Sequence, residues 1–310
     1  MNEDRPIRNK LVSIIIPTYN SARFIGEAII SVIGQDYDAW ELIIVDDGST
    51  DDTARVVAEF LADTRISYVK KENSGVSHTR NFGAALAKGD YLCFLDADDF
   101  FYPANLSEKV RVLDQQPHVG LVHGDVNIIN ESGTPTGSYN TGLGGKDLHL
   151  DILLWQECVI PAPSSVMLRR DVFYTAGQWD PDFSTAADQD LFIAVARRHS
   201  IYRVSQVLSS YRIVNGSMSR VTRSFEKDHL AVYNKAKKNN LFPDEHFERR
   251  CFSNLHRIIS GSWWHNEKNI FKTIRHLMLS LSYSPGVILR MLNLQSNRYA
   301  HSERRTTPKK

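Results

Sequence analysis

Asp96-Ala97-Asp98-Asp99 is the run most able to do chemistry, because three carboxylates within four residues repel one another unless a cation or a proton intervenes. Three further Asp-x-Asp pairs stand at 36/38, 180/182 and 188/190, so the pattern alone carries little information. Position singles out 96/98: it directly follows an apolar segment, Tyr91–Leu95, and so projects from a strand end into a cleft. Oxygen ligands there suit a hard divalent cation, Mg²⁺ or Mn²⁺, bridging to a diphosphate, whereas the plain alternative is a solvated turn whose Asp caps the next helix. A second acidic turn, Asp46-Asp47-Gly48-Ser49-Thr50-Asp51, follows the apolar Glu41–Val45. Its carboxylates suit either a nucleobase N–H or a capped turn. Thr18 and Tyr19 follow Pro17 at a third strand end, where the tyrosine offers a ring face or a hydroxyl to the same ligand or simply packs. Neither G-x-G-x-x-G nor G-x-x-x-x-G-K-[ST] occurs, which leaves phosphates to metal and side chains.

Positioning these turns requires strands alternating with helices. Leu11–Ile16 is a β-branched apolar run of the kind buried on both faces, and Pro17 is expected to end it. Asn20 stands at an N-cap position ahead of Ile25, Ile29, Ile30 and Ile33 at helical spacing. Strands are then expected at 41–45, 66–69 and 91–95, with helices near 53–62 and 76–87. Repeated β-α-β with short connections means a Rossmann-like, mostly parallel sheet with helices on both faces. Residues 101–224 are less regular, with helices expected near 106–113, 148–157 and 191–198. Strands are expected at 119–129, 165–169 and 202–213, and the Gly/Ser/Thr-rich 131–145 reads as a loop or hairpin tip.

Composition fits a soluble globular protein: 310 residues, 42% hydrophobic and 24% charged. The net charge of +1 hides a partition, with 21 basic against 29 acidic residues over 1–224 and 16 against 7 over 225–310. The expected organisation is a tail (1–10), an α/β domain (11–224, with a nucleotide-binding half at 11–105 and an acceptor half at 106–224), a basic helical region (225–300) and a disordered tail (301–310). Cys93, Cys158 and Cys251 share no metal-ligand spacing and suit a reducing compartment. The opening MNEDRPIRNK lacks the apolar core of a signal peptide, and no run of 18 apolar residues occurs. The expected location is the cytoplasm, with peripheral contact at the inner face of the cytoplasmic membrane as an addition; no nucleic acid partner is expected.

VSIIIPTYN, ELIIVDDGSTDDT and ENSGVSHTRNFGAALAKGDYLCFLDADD together resemble family 2 glycosyltransferases of the GT-A fold, densely over 11–105 and more loosely over 160–220. The resemblance implies a nucleotide-diphosphate sugar donor (UDP, GDP or dTDP), a divalent cation, and inversion at the anomeric carbon by direct displacement onto a glycan or lipid-linked acceptor. It implies that Pro17, Thr18, Tyr19 and Asp47 hold the nucleoside, that Arg80 supports the nucleotide pocket, that Asp96 approaches ribose or metal, and that Asp98 is the metal ligand. It also implies a base in an acidic motif opening a later helix, where Asp188 of Ala187-Asp188-Gln189-Asp190-Leu191 aligns. Here Ala187 and Gln189 replace the family's acidic and aromatic residues. Residues two apart on a helix point about 200° apart, so one of Asp188 and Asp190 at most faces the cleft. Asp188 lies nearer the helix start, where the dipole favours its charged form, and Asp190 is the alternative base.

Ser164 and Ser165 are candidates to line the acceptor side. Trp179 is either an acceptor platform or a packing residue. Arg212 and Ser217, in a stretch resembling the family's Tyr-Arg…Ser-x-Ser, are candidates to contact the diphosphate. Ile270, Phe271, Ile274, Leu277, Met278 and Leu281 form one helical stripe. It either packs inward with the basic face in water or lies on an anionic lipid surface. Three competing functions are a catalytically degenerate sugar-nucleotide scaffold, a sugar nucleotidyltransferase and a receiver-like switch. The nucleotidyltransferase needs a glycine-rich loop after the first strand, where Pro17–Asn20 stands instead. The switch needs an Asp closing the third strand, where Lys70-Lys71 stand instead.

Overall fold

In a computed structural model, residues 10–214 and 221–286 are described. They fall into two compact units, one running to Ile152 and resuming at Glu157 through the last strand, the other formed by Leu153–Gln156 and the C-terminal helices.

The first unit is built on an eight-stranded sheet in the order β3-β2-β1-β4-β7-β5-β6, with β8 also paired to β5. Its strands are β1 (Val12–Thr18), β2 (Trp40–Asp46), β3 (Ile66–Lys70), β4 (Tyr91–Phe94), β5 (Val119–Ile129), β6 (Pro135–Asn140), β7 (Val166–Arg169) and β8 (Ser200–Arg212). β1, β2, β3 and β4 are mutually parallel, as the β-α-β pattern requires, and β5 and β8 are parallel to each other. The short β7 runs antiparallel between β4 and β5 and joins the two halves. β1 is buried along its whole length, which explains its unbroken apolar run.

Pro17 does not end β1; it lies inside it, opposite Val45 of β2. Alternate residues of β1 address β4, as the bond from the Leu95 N–H to the Ile15 carbonyl shows. Pro17 falls on that side just beyond the last β4 pairing, Ile15 with Phe94, so its missing N–H closes one ladder and leaves the other intact.

The helices of this unit are α1 (Ile25–Ile33), α2 (Thr53–Ala58), α3 (Val76–Leu86), α4 (Asn105–Gln115), α5 (His149–Leu154, whose last two residues belong to the second unit), α6 (Arg170–Thr175) and α7 (Ala187–Ala196). Asn20 is not the cap of α1, whose N-cap is Phe24. Asn20 takes a left-handed φ of 51°, and its Oδ1 accepts from the Thr50 N–H at 2.8 Å and the Asp51 N–H at 3.3 Å. It therefore ties the turn after β1 to the turn after β2. α3 lies against β1 and β2 so closely that a Cβ at Gly83 would stand 2.5 Å from Ile15 Cγ2. The 131–145 segment holds a hairpin strand, β6, exposed throughout.

The second unit contains α8 (Thr222–Lys238), α9 (Glu245–Glu267) and α10 (Ile270–Tyr283). Asp244 caps α9 by accepting from the Phe247 N–H, and Asn269 caps α10 by accepting from the Lys272 N–H. Val232, Tyr233, Cys251, Leu255, Ile259 and Trp263 are buried in this unit. Ser217, Ser219, the segment 287–294 and the tail 301–310 lie outside the described residues.

Candidate active site

The carboxyl ends of β1, β2 and β4 bring three of the expected turns together. Thr18 pairs with Asp46 across the β1/β2 ladder, and the β1/β4 ladder stops at Ile15 and Phe94. Asp96 thus begins its turn about level with Pro17.

Of the two aspartates closing β2, Asp46 is structural. It is fully buried, its Oδ1 accepts from the Ser49 N–H at 2.6 Å and its Oδ2 accepts from the Tyr68 hydroxyl at 2.5 Å. Asp47 is also buried, and its carboxylate accepts from the Ser74 and Gly75 N–H groups, each at 2.9 Å, and from the Lys71 ammonium. Burial alone would raise its pKa, but the Lys71 bond and the two backbone donors outweigh it and hold the carboxyl below its usual range. Gly75 has a φ of 91°, a conformation that lets its N–H turn toward Asp47 without a Cβ in the way. Lys70 reaches the same turn, donating to the Ser49 carbonyl at 2.7 Å. Thr18 is buried with its hydroxyl unpartnered among the described residues, while Tyr19 beside it is exposed.

The turn after β4 is held from three directions. Arg80, 6% exposed on α3, donates to Asp96 Oδ1 at 2.5 Å and stacks its guanidinium 4.5 Å from the Trp179 ring centroid. Ser164, just before β7, donates to Asp99 Oδ2 at 2.6 Å and accepts from the Asp96 N–H at 3.1 Å. Arg212, at the end of β8, donates its N–H to Asp99 Oδ1 at 2.9 Å and its Nε–H to the Asp98 carbonyl at 2.7 Å. Its remaining nitrogens reach the Glu131 carbonyl and Glu27. Asp98 is the carboxylate of the three to which no other described side chain donates. Burial first, and the charge of Asp96 second, push its pKa up to about 6, while burial, then the charges of Asp98 and Asp96, lift the buried Asp99 well above the carboxylate range. Such a set has the electrostatics of a site for a positive ion of the Mg²⁺ or Mn²⁺ type. Among the described residues Asp98 is the carboxylate most available for direct coordination, so phosphate oxygens and water would supply most of the shell. The residues therefore fit a divalent cation supplied together with a diphosphate.

Trp179 is fully buried and edge-on to Phe94, so it packs the core and supports Arg80; it is not an acceptor platform. Ser164 and Ser165 are likewise fully buried, and Ser164 supports the acidic turn. Arg212 is buried and engaged on the same turn's backbone.

α7 carries Asp188 and Asp190 in its first turn, both half-buried and both engaged in interactions within the protein. Asp188 Oδ1 accepts from the Gln189 N–H at 2.8 Å. Ala187 and Gln189 are the buried residues of this turn, so the two departures from the family pattern lie on the inward side. The segment leading into α7 is anchored to α3: Asn81 exchanges hydrogen bonds with the Trp179 backbone at 2.7 and 3.1 Å, and Ser77 donates to the Phe183 carbonyl at 2.8 Å. α3 therefore supports both the acidic turn, through Arg80, and the approach to α7.

A family model described as "Glycosyl transferase family 2" matches residues 13–177. An uncharacterized glycosyltransferase of Rickettsia conorii is 32% identical over 206 residues, which are 66% of this chain and 33% of that protein. The chain thus spans about a third of the length of this relative. One from a Nostoc species is 30% identical over 228 residues, 70% of each chain. Among solved structures, S. aureus TarS 1–349 in complex with UDP-GlcNAc has a TM-score of 0.60 at 17% identity, covering 89% of this chain and 92% of that one. A mannosyltransferase from Pyrobaculum calidifontis in complex with GDP-Man and Mn²⁺ also has a TM-score of 0.60 at 17% identity, covering 96% and 81%.

Proposed function

Since the chain belongs to glycosyl transferase family 2, we propose that it moves a sugar from a nucleotide-diphosphate sugar to an acceptor hydroxyl by a single inverting displacement that depends on a divalent cation. The observation that carries the metal and donor reading is the turn Asp96–Asp99, braced by Arg80, Ser164 and Arg212 so that, among the described residues, no side chain donates to Asp98. The nucleotide-sugars and the Mn²⁺ held by the fold's neighbours support the same ligand class.

Thr18, with its buried unpartnered hydroxyl, Pro17, Tyr19 and Asp47 form the nucleoside side of the site. Asp47 has lone-pair capacity for one donor beyond Lys71 and the two backbone N–H groups, enough for a base N–H. A cation at Asp98 would offset the negative charge that grows on the diphosphate as it leaves. Asp188 takes the proton of the acceptor hydroxyl while that oxygen forms its bond to the anomeric carbon, and the bond from that carbon to the diphosphate oxygen breaks on the opposite face. Asp190 is the alternative base. The acceptor class is a glycan or a lipid-linked oligosaccharide of a cell-surface polysaccharide pathway.

The test is a thermal-shift screen of UDP-, GDP- and dTDP-sugars with and without Mn²⁺, because a ligand that binds only the native state raises its stability by mass action. One nucleotide class should raise the midpoint, and more so with Mn²⁺. No shift with any of them would sink the donor reading.

A further inference from the structure

α10 is built inside out. The residues it buries are Thr273, His276 and Ser280, and their partners on α9 are polar. Ser253 and Ser280 each donate a hydroxyl to the other's carbonyl at 2.8 Å, Ser260 donates to the Thr273 carbonyl at 3.1 Å, and the imidazoles of His256 and His276 meet at 3.0 Å. The opposite face is apolar. Phe271 is 84% exposed and Met278 65% exposed, with Ile270, Ile274 and Leu277 exposed beside them. At 100° per residue these five fall within about 120° of one another, centred away from the buried trio. Phe271, Ile274 and Met278 line the edge of an open depression of about 510 Å³ with Arg275, Leu279 and Ser282. An aqueous helix is expected to show the reverse arrangement, and a contiguous exposed apolar face marks an interaction site.

Charge identifies the occupant. α10 carries Lys272 and Arg275 and no acidic residue. Arg275 is exposed, Lys272 is half-buried 4.0 Å from Glu226, and Lys268 lies just ahead of the helix with its ammonium 5.9 Å from the ring of exposed Trp264. The 24 residues from Val287 onward add six basic residues and one acidic one. A second copy docking face to face would set these cations against themselves, and the chain's own C-terminal sequence, with Glu303 as its one acidic residue, would add more positive charge than negative. We infer that α10 lies in the plane of an anionic lipid surface, with Phe271, Ile274 and Met278 inserted at the acyl boundary and Lys268 and Arg275 at the headgroups. Trp264, an amphipathic ring, suits the same boundary.

The experiment is flotation of the full chain with vesicles of mixed phosphatidylglycerol and phosphatidylcholine, or of phosphatidylcholine alone, at low and high salt. The full chain should float with the anionic vesicles at low salt, release as salt is raised, and bind the neutral vesicles weakly. Phe271→Ser/Met278→Ser keeps every charge and should lower the bound fraction about tenfold or more, with an unchanged melting midpoint because both side chains face outward. Lys268→Gln/Arg275→Gln should weaken binding and flatten its salt dependence. Absence of anionic-vesicle binding overturns the inference. So does full retention of binding by Phe271→Ser/Met278→Ser, which would place it in the basic residues alone. A concentration-dependent dimer dissolved by that double substitution also overturns it, in favour of a second copy. A melting midpoint lowered by several degrees with vesicle binding unchanged does so as well, since the face is then covered by the chain itself.

Discussion

Arg80 of α3 and Asp96 of the turn after β4 form a 2.5 Å ion pair in which the arginine is buried and the aspartate keeps partial contact with solvent. The pair crosses from a helix to a strand end and fixes the orientation of the turn that presents Asp98. Arg80→Ala leaves Asp96 without its cation and opens a gap over Trp179, and should cost about 2 kcal/mol of stability, below the 3 to 5 of a fully buried pair because Asp96 is part-exposed. Arg80→Lys keeps the charge but loses the planar stack on Trp179, and should recover only part of this. Both variants should weaken the Mn²⁺-dependent component of donor binding, read by titration calorimetry. Unchanged metal dependence in Arg80→Ala would mean that the pair is purely architectural.

Asp188→Asn preserves size and hydrogen bonding but removes the proton acceptor. Turnover should fall roughly 10²- to 10⁴-fold while the donor-induced thermal shift is retained. Asp190→Asn, two residues further along α7 and so on a different face, should leave turnover within a few-fold of wild type. If the two variants exchange these behaviours, Asp190 is the base.

The parallel half of the fold was legible because β1 and β2 are buried on both faces, and such strands advertise themselves as uninterrupted apolar runs. The acidic turns were legible for the same reason, since they stand where those runs stop. Arg80 was named among the site residues, but the supporting roles of Ser164 and Arg212 were not legible. Ser164 and Arg212 lie 65 and 113 residues from Asp99, and no spacing rule links a serine or an arginine to a turn that distant. Lys70 and Lys71 carried a local signal, two cations directly after an apolar strand, but their targets on the β2 turn depend on β3 lying beside β2. Asn20 misled for a chemical reason: the residues that cap helices also tolerate the left-handed conformation and bridge turns. The stripe on α10 was visible as a period, yet a period does not say which face turns inward.

Asp98 makes the metal-free protein sensitive to mild acid in an unusual direction. Its carboxyl pKa is raised from an ordinary value of 3.8 to about 6, so the folded state holds a proton that the unfolded chain has released. The resulting stabilisation is complete below about 3.8 and is lost as pH rises through about 6. In chelator, stability from this group should therefore fall between pH 4 and 7, by an amount on the order of 1 to 3 kcal/mol. Asp98→Asn should flatten that fall, and saturating Mn²⁺ with a nucleoside diphosphate should reverse it, because the cation favours the charged carboxylate. Denaturant titrations at pH 4.5, 5.5 and 7 would decide it; identical profiles for wild type and Asp98→Asn would refute it.

Lys109 of α4 is fully buried, with its ammonium donating to Asn105 Oδ1 at 2.9 Å and lying 5.5 Å from the Phe101 ring centroid. Burial lowers its pKa from 10.5 to about 8. Between these values the unfolded chain binds the proton and the folded protein does not, so the folded state gains stability as pH rises from about 8 to 10.5. Lys109→Met fills similar volume without a charge to desolvate, and should be at least as stable as wild type at pH 7. That advantage should shrink by up to about 3 kcal/mol across the alkaline window. Cys93 nearby, its thiol pushed up to about 12 by burial, opposes the trend in both proteins, and more so in Lys109→Met, which lacks the ammonium that lowers the thiol's pKa. An advantage for Lys109→Met that holds constant to pH 10.5 would show that Lys109 is neutral, or solvated, throughout.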